Sequence, residues 1–232
     1  MMVLALAQAE LKLLLRNTAV AISALLLPIG VGVFATFNLP DDAGPSAWSM
    51  VISIQLLMVL GFTVYFTTTA ALAARREDHY LKRLRSGEAS DAAILAGLLA
   101  PAVVLGLAQL VLLAVISAYL GAPMPANVLP IALALLLGIA LCLVGGIATS
   151  GRTASSEQAQ VTTMPLFFGM IGGVVIGVFS PAGVLLPGGG LAGLVQHAMT
   201  GSGPLLPALG SMIGWIVLLS LLAKAWFRWE AR

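Results

Sequence analysis

Charge is what this sequence has least of. Only 9% of its 232 residues are Asp, Glu, Lys or Arg, where a soluble globular domain carries about 25%. Mean hydropathy is +1.06, and 60% of the residues are apolar. That balance excludes an ordinary soluble domain. Roughly 20 apolar residues cross a ~30 Å hydrocarbon core as a helix, and the long runs here fit that length. They are apolar all round, without the polar alternation of barrel strands. The expected fold is an all-α integral membrane protein.

Other absences narrow the chemistry. The single cysteine, Cys142, lies inside an apolar run; alone it makes neither an internal disulfide nor a metal site, and it reads as a packing residue. No G-x-x-x-x-G-K-[ST] phosphate loop occurs, and the glycines at 188–190 lack the lysine. No cofactor is therefore expected on this chain. Residues 92–151 and 158–223 hold no Asp, Glu, Lys or Arg. Ion-coupled carriers generally need ionisable groups within the membrane, so energy for uphill movement would come from outside the bilayer. A rhomboid-like protease needs glycine at 148 in its G-x-S-G motif, and this chain has Ala148. Its other candidate pair, Ser150 and His197, would sit on opposite sides of the bilayer, out of reach as nucleophile and base.

What is present organises as six spans. They cover about Thr18–Phe37, Trp48–Ala73, Ala92–Tyr119, Val128–Thr149, Val161–Phe179 and Leu205–Trp226, cut by the breakers "LPDDAGPS", "GAPMPANVLP" and "SPAGVLLPGGG". With the N-terminus inside, all eleven Lys and Arg residues fall on cytoplasmic segments and none on outer loops. The positive-inside rule then places both termini in the cytoplasm. The basic pI follows from these loops, and no nucleic-acid partner is expected. Residues 1–17 are expected to stay on the chain as an interfacial helix, with Gln8, Lys12 and Arg16 on one face; the alternative is a long first span with a charged end. Residues 180–204 are too interrupted for a span and too apolar for an open loop. They are expected to form short helices re-entering the outer leaflet, the alternative being a loop on its surface.

Two small-residue stripes stand out. Gly169, Gly173 and Gly177 recur at every fourth residue, which lets another helix approach closely. The partner helix could belong to the same chain or to a second protomer. Thr63, Thr67 and Ala71 form a similar stripe, read either as packing or as hydroxyls lining a pathway.

Nine of the twenty charged residues crowd into 75–91, "RREDHYLKRLRSGEASD". "DHYLKRLRS" has room for two turns of helix. Leu81 and Leu84 share a face, with Tyr80 beside them. An apolar pair in a charged belt suits a groove on a partner protein. Lipid anchoring alone would leave the acidic residues Glu77, Asp78, Glu88 and Asp91 unexplained. Here the sequence resembles the permease subunits of type-2 ABC exporters, whose first cytoplasmic loop carries a motif like E-x-G-T-L-x-R-L. "REDHYLKRLRS" matches it at Glu77, Leu81, Arg83 and Leu84, departs at His79 and Tyr80 where the family often has Gly-Thr, and has Gly87-Glu88 where a proline is common.

The resemblance covers essentially the whole chain, and it implies a division of labour. A separate ABC ATPase, two copies per complex, would dock on the 77–85 coupling helix and bind the ATP and Mg. A second permease chain, identical or a paralogue, would meet this one through first and fifth spans. The complex would sit in the cytoplasmic membrane, surrounded by lipid, and export a hydrophobic or amphipathic cargo such as a drug, lipid-linked glycan or peptide. This chain would catalyse no bond chemistry. The competing readings are a membrane scaffold without transport and, less favoured, an ion-coupled carrier.

Overall fold

The structure is a computed structural model that describes Ala7, Lys12, residues 22–85 and residues 90–229. The interfacial helix expected over 1–17 therefore falls outside what is described. Every regular element among the described residues is helical.

Helix α1 (Ala24–Phe37) is apolar and leads to α2 (Pro45–Glu77). A short helix, α3 (Tyr80–Arg85), precedes α4 (Asp91–Tyr119) and α5 (Val128–Ser150). A single turn at Ala159–Thr162 opens onto α6 (Met164–Phe179). A 3-10 turn (Pro181–Leu185), α7 (Pro187–Thr200) and α8 (Leu205–Trp226) complete the order. Five of these segments are long and apolar enough to cross a membrane: α2, α4, α5, the stretch Ala159–Gly177 and α8. The first of the six expected spans shows a helix of 14 residues in α1, and its expected start lies outside the described chain.

The ends follow local chemistry. Proline opens α2 and α7 at the first turn, where its missing N–H costs nothing. The Ser90 hydroxyl accepts from Ala93 N, and Asn127 Oδ1 accepts from Leu129 N, capping α4 and α5. Gly201 closes α7 in the left-handed conformation, φ +70°.

Helix α2 is 33 residues long, about 50 Å at 1.5 Å per residue. That exceeds the hydrocarbon core by several turns. Its last turn, with Arg75 and Arg76, therefore projects beyond the core toward α3. Residues Val59–Phe66 within it are wound as a π-helix, and Ile22–Leu26 entering α1 likewise.

Helix α7 sits within the bundle, packed on α2, α5, α6 and α8. Leu191, Leu194, Val195, Ala198 and Met199 are all buried. The segment 180–204 forms the 3-10 turn and α7, most of whose residues are surrounded by protein. Its backbone groups are satisfied within the helix, which a broken apolar segment needs.

Candidate functional site

The candidate docking helix α3 is held against the bundle by its own leucines. Leu81 is fully buried with Leu72 of α2 and Ile94, Leu98 and Leu99 of α4. Tyr80 and Leu84 are half-buried on that cluster, joined by Leu143 and Ile147 of α5 and by Phe227 and Trp229 after α8. Of the Leu81–Leu84 pair expected to enter a partner's groove, Leu81 is turned into its own chain, while Leu84 keeps part of its surface. Leu81 has no surface to offer; its role is to fasten α3 to three spans and the C-terminal segment. Helix period explains the inversion, since an apolar face packs on whichever apolar surface adjoins it.

The solvent side of this corner is polar. Glu77, Asp78, His79 and Arg83 are exposed. Two guanidinium groups stand over the Tyr80 ring, Arg75 at 5.5 Å and Arg83 at 5.9 Å from its centroid. Arg75 also pairs with Asp78 at 3.9 Å, and Arg83 Nη2 donates to the Asp78 carbonyl at 3.3 Å. His79 occupies the left-handed region, φ +55°, making the corner between α2 and α3. A side chain there is disfavoured by steric crowding that glycine avoids. That gives a physical reason for glycine at the matching place of the resembling motif.

Arg76, buried one position earlier, is a functional candidate the sequence reading passed over within the basic run. Its Nη2 donates to the carbonyls of Ser150, at 2.8 Å, and Thr153. These carbonyls end α5, where the helix dipole favours a cation. Beside them, a Cβ at Gly151 would collide with the Trp226 carbonyl, and the Arg152 guanidinium lies 4.2 Å from the Trp226 ring centroid. The ends of α2, α5 and α8 are thus tied together directly under α3.

Deeper in the bundle, polar side chains bridge helices. Gln109 Nε2 on α4 donates to the Ala24 carbonyl at 2.7 Å. Thr63 Oγ1 lies 2.6 Å from that carbonyl and 2.7 Å from Gln109 Oε1, so its one proton faces two acceptors. The π-wound turns of α1 and α2 meet here. Nearer the other end of α2, Gln55 Nε2 donates to Thr36 Oγ1 at 2.9 Å and Ser117 Oγ at 3.0 Å. Thr63 is fully buried, and buried Thr67 donates to the Phe62 carbonyl at 3.3 Å. In this chain both hydroxyls are taken up by contacts of that kind. The recess on this side of α2, about 230 Å³, is lined instead by Gly61, Phe62, Tyr65, Phe66, Thr163 and Phe167 among others.

The glycine stripe of α6 faces inward at Gly173. A Cβ at Gly173 would collide with Gly189 N of α7, one at Gly188 with the Met170 carbonyl, and one at Gly183 with Gly177 N. At Gly169 the nearest neighbour of a Cβ would be Pro187 at 3.8 Å. At Gly173 the stripe is therefore covered by α7 of its own chain, while Gly177 is exposed and a Cβ there would meet nothing within 4 Å. Ser150 and His197 are likewise placed apart. Asn127 N donates to Ala198 O at 3.0 Å, putting His197 at the start of α5, whereas Ser150 ends that helix about 34 Å away.

These elements define a multi-pass helical membrane protein with a short helix braced at its basic end. The family model for the ABC-2 type transporter matches residues 2–188, most of the chain, and the chain belongs to that family: it is an ABC-2 permease, a membrane component of an ABC-type transporter. Among curated proteins, none matches the sequence.

Proposed function

We propose that this chain is the membrane-spanning subunit of an ATP-driven exporter, powered by a separate ATPase docked at the α2–α3 corner. The carrying observation is the bracing of α3: Leu81 buried against α2 and α4, with Arg76 bonded to the end of α5. A docking element transmits force only if it moves with the spans, and this one is packed to do so. The exposed Glu77, His79 and Arg83, with half-buried Tyr80 and Leu84, would be the surface the ATPase meets. Two such subunits would bind ATP and Mg, and their closure would push on α3 of each of two permease chains.

With Gly173 occupied by α7, the second permease would meet other faces of the first and fifth spans. Phe34 and Phe37 on α1 and Phe168 on α6 are exposed large side chains available for this. The aromatic recess along α2 supports hydrophobic or amphipathic cargo. Orientation in the cytoplasmic membrane, with α3 inside, rests on the one-sided distribution of Lys and Arg.

The test is purification of the tagged full chain from its native membrane. A soluble subunit with a phosphate loop and ATPase activity is expected to co-purify. The double variant Glu77→Lys/Arg83→Glu is expected to lose it while the permease itself is recovered at normal yield. Equal recovery of the ATPase with both forms would remove α3 as the docking element; recovery of no ATPase at all would favour the scaffold reading.

A further inference from the structure

At the α7 end of α2, away from the docking corner, lies a cavity of about 750 Å³, within the ~300–1,000 Å³ of small-molecule sites. It is a half-open recess bordered by the first turns of α2, the end of α6, the 3-10 turn and α7. No ionisable side chain contributes to its wall. A charged ligand would lose hydration there with no counter-charge in return, which is costly at membrane depth.

The polar groups that do contribute are hydroxyls and one amide. Ser46, Ser49 and Ser53 share one face of α2, and the Gln196 side chain stands across from them on exposed α7 surface. Ser49 Oγ donates to the Ser46 carbonyl at 2.7 Å, and Ser53 Oγ to the Ser49 carbonyl at 2.7 Å. With their protons committed to the helix, the Ser49 and Ser53 hydroxyls offer lone pairs, so they complement donors. Val174, Val184 and Met50 supply the apolar part of the wall.

We propose that this cavity binds an uncharged amphiphile, its hydrogen-bond-donating head against the serines and its apolar part against Val174, Val184 and Met50. The inference rests on the transport reading and narrows its cargo: a neutral, hydroxyl- or amide-bearing head in place of a cationic or anionic one.

Gly177 provides the means of testing it. It lines the cavity and a Cβ there meets nothing within 4 Å, so a larger side chain is accommodated at the cavity's edge without displacing backbone. Gly210, on the exposed face of α8, is equally open and does not line the cavity. The full chain in lipid nanodiscs would be titrated with radiolabelled octyl glucoside, with octylammonium and octyl sulfate as tail-matched charged probes, and empty nanodiscs as the partition background. Saturable binding of octyl glucoside is expected. It should weaken about tenfold or more in Gly177→Leu, weaken in Ser49→Ala/Ser53→Ala, and persist in Gly210→Leu; the charged probes should bind at least about tenfold more weakly.

The proposal is overturned by an absence of saturable binding, by charged probes binding equally, or by an equal loss in Gly210→Leu. It is also overturned if Gly177→Leu changes the oligomeric state in place of binding, which would give the cavity to a second chain. Neither ATP nor the ATPase takes part in this assay, so its failure leaves the docking reading standing, and failure of co-purification leaves the binding result standing.

Discussion

At the scale of single residues, the α2–α3 corner is built from two costly choices. His79 holds a left-handed backbone without being glycine, a conformation that costs an L-residue roughly 1–2 kcal/mol. Glycine there would relieve the crowding but lose roughly 0.5–1 kcal/mol to chain entropy. His79→Gly is therefore expected to raise the stability of the purified chain slightly, read as a small increase in its thermal midpoint; a decrease would mean that the imidazole makes a stabilising contact. Arg76 is the second choice, a buried cation whose partners are backbone carbonyls at the end of α5. Leaving buried carbonyls without a donor costs about 1–3 kcal/mol. Arg76→Met should lower the thermal midpoint and speed proteolysis between residues 151 and 158, and unchanged values for both would show that the clamp contributes nothing. The sequence displayed Arg76 as one more basic residue among neighbours. Only the angular position on the last turn of α2 separates it from Arg75.

At the scale of elements, glycine decides how α6 and α7 meet. Apolar burial gives helices little net drive to associate in lipid, so close backbone approach must supply the contact. Gly173 against Gly188–Gly189 supplies it. Gly173→Leu is expected to abolish recovery of monodisperse folded chain by size-exclusion chromatography, whereas Gly177→Ala should be recovered at the level of the parent. Equal recovery of the two would show that α7 can shift aside. The spacing of the stripe was legible from residues alone; the identity of its partner was not, because any helix with small residues fits such a groove. Gln55 and Gln109 were also in plain view as lone amides within apolar runs. Their partners, Thr36, Ser117 and the Ala24 carbonyl, come from elements far apart in the chain.

At the scale of the whole molecule, one end carries the basic corner and the other the uncharged cavity. Orientation is the property on which both roles depend, and it is open to direct measurement. With Cys142→Ser as background, a cysteine at position 79 is expected to react with membrane-impermeant maleimide only in inverted vesicles, and one at Asp41 only in intact cells. The reverse pattern would place α3 outside and end the ATPase reading. Cys142 itself is fully buried, so its removal should alter labelling little.

Composition and the distribution of Lys and Arg determined by themselves that the chain is a multi-span helical membrane protein, where most span ends lie, and which segments carry charge. Hydropathy and the positive-inside rule act on local sequence, so such features are readable without a fold. The tertiary structure alone decided that Leu81 points inward, that Thr63 is spent on a helix bridge, that Gly173 serves α7, and that Arg76 closes the end of α5. Each of these depends on which apolar or polar surface arrives opposite, and that is a property of the assembled helices that no single helix contains.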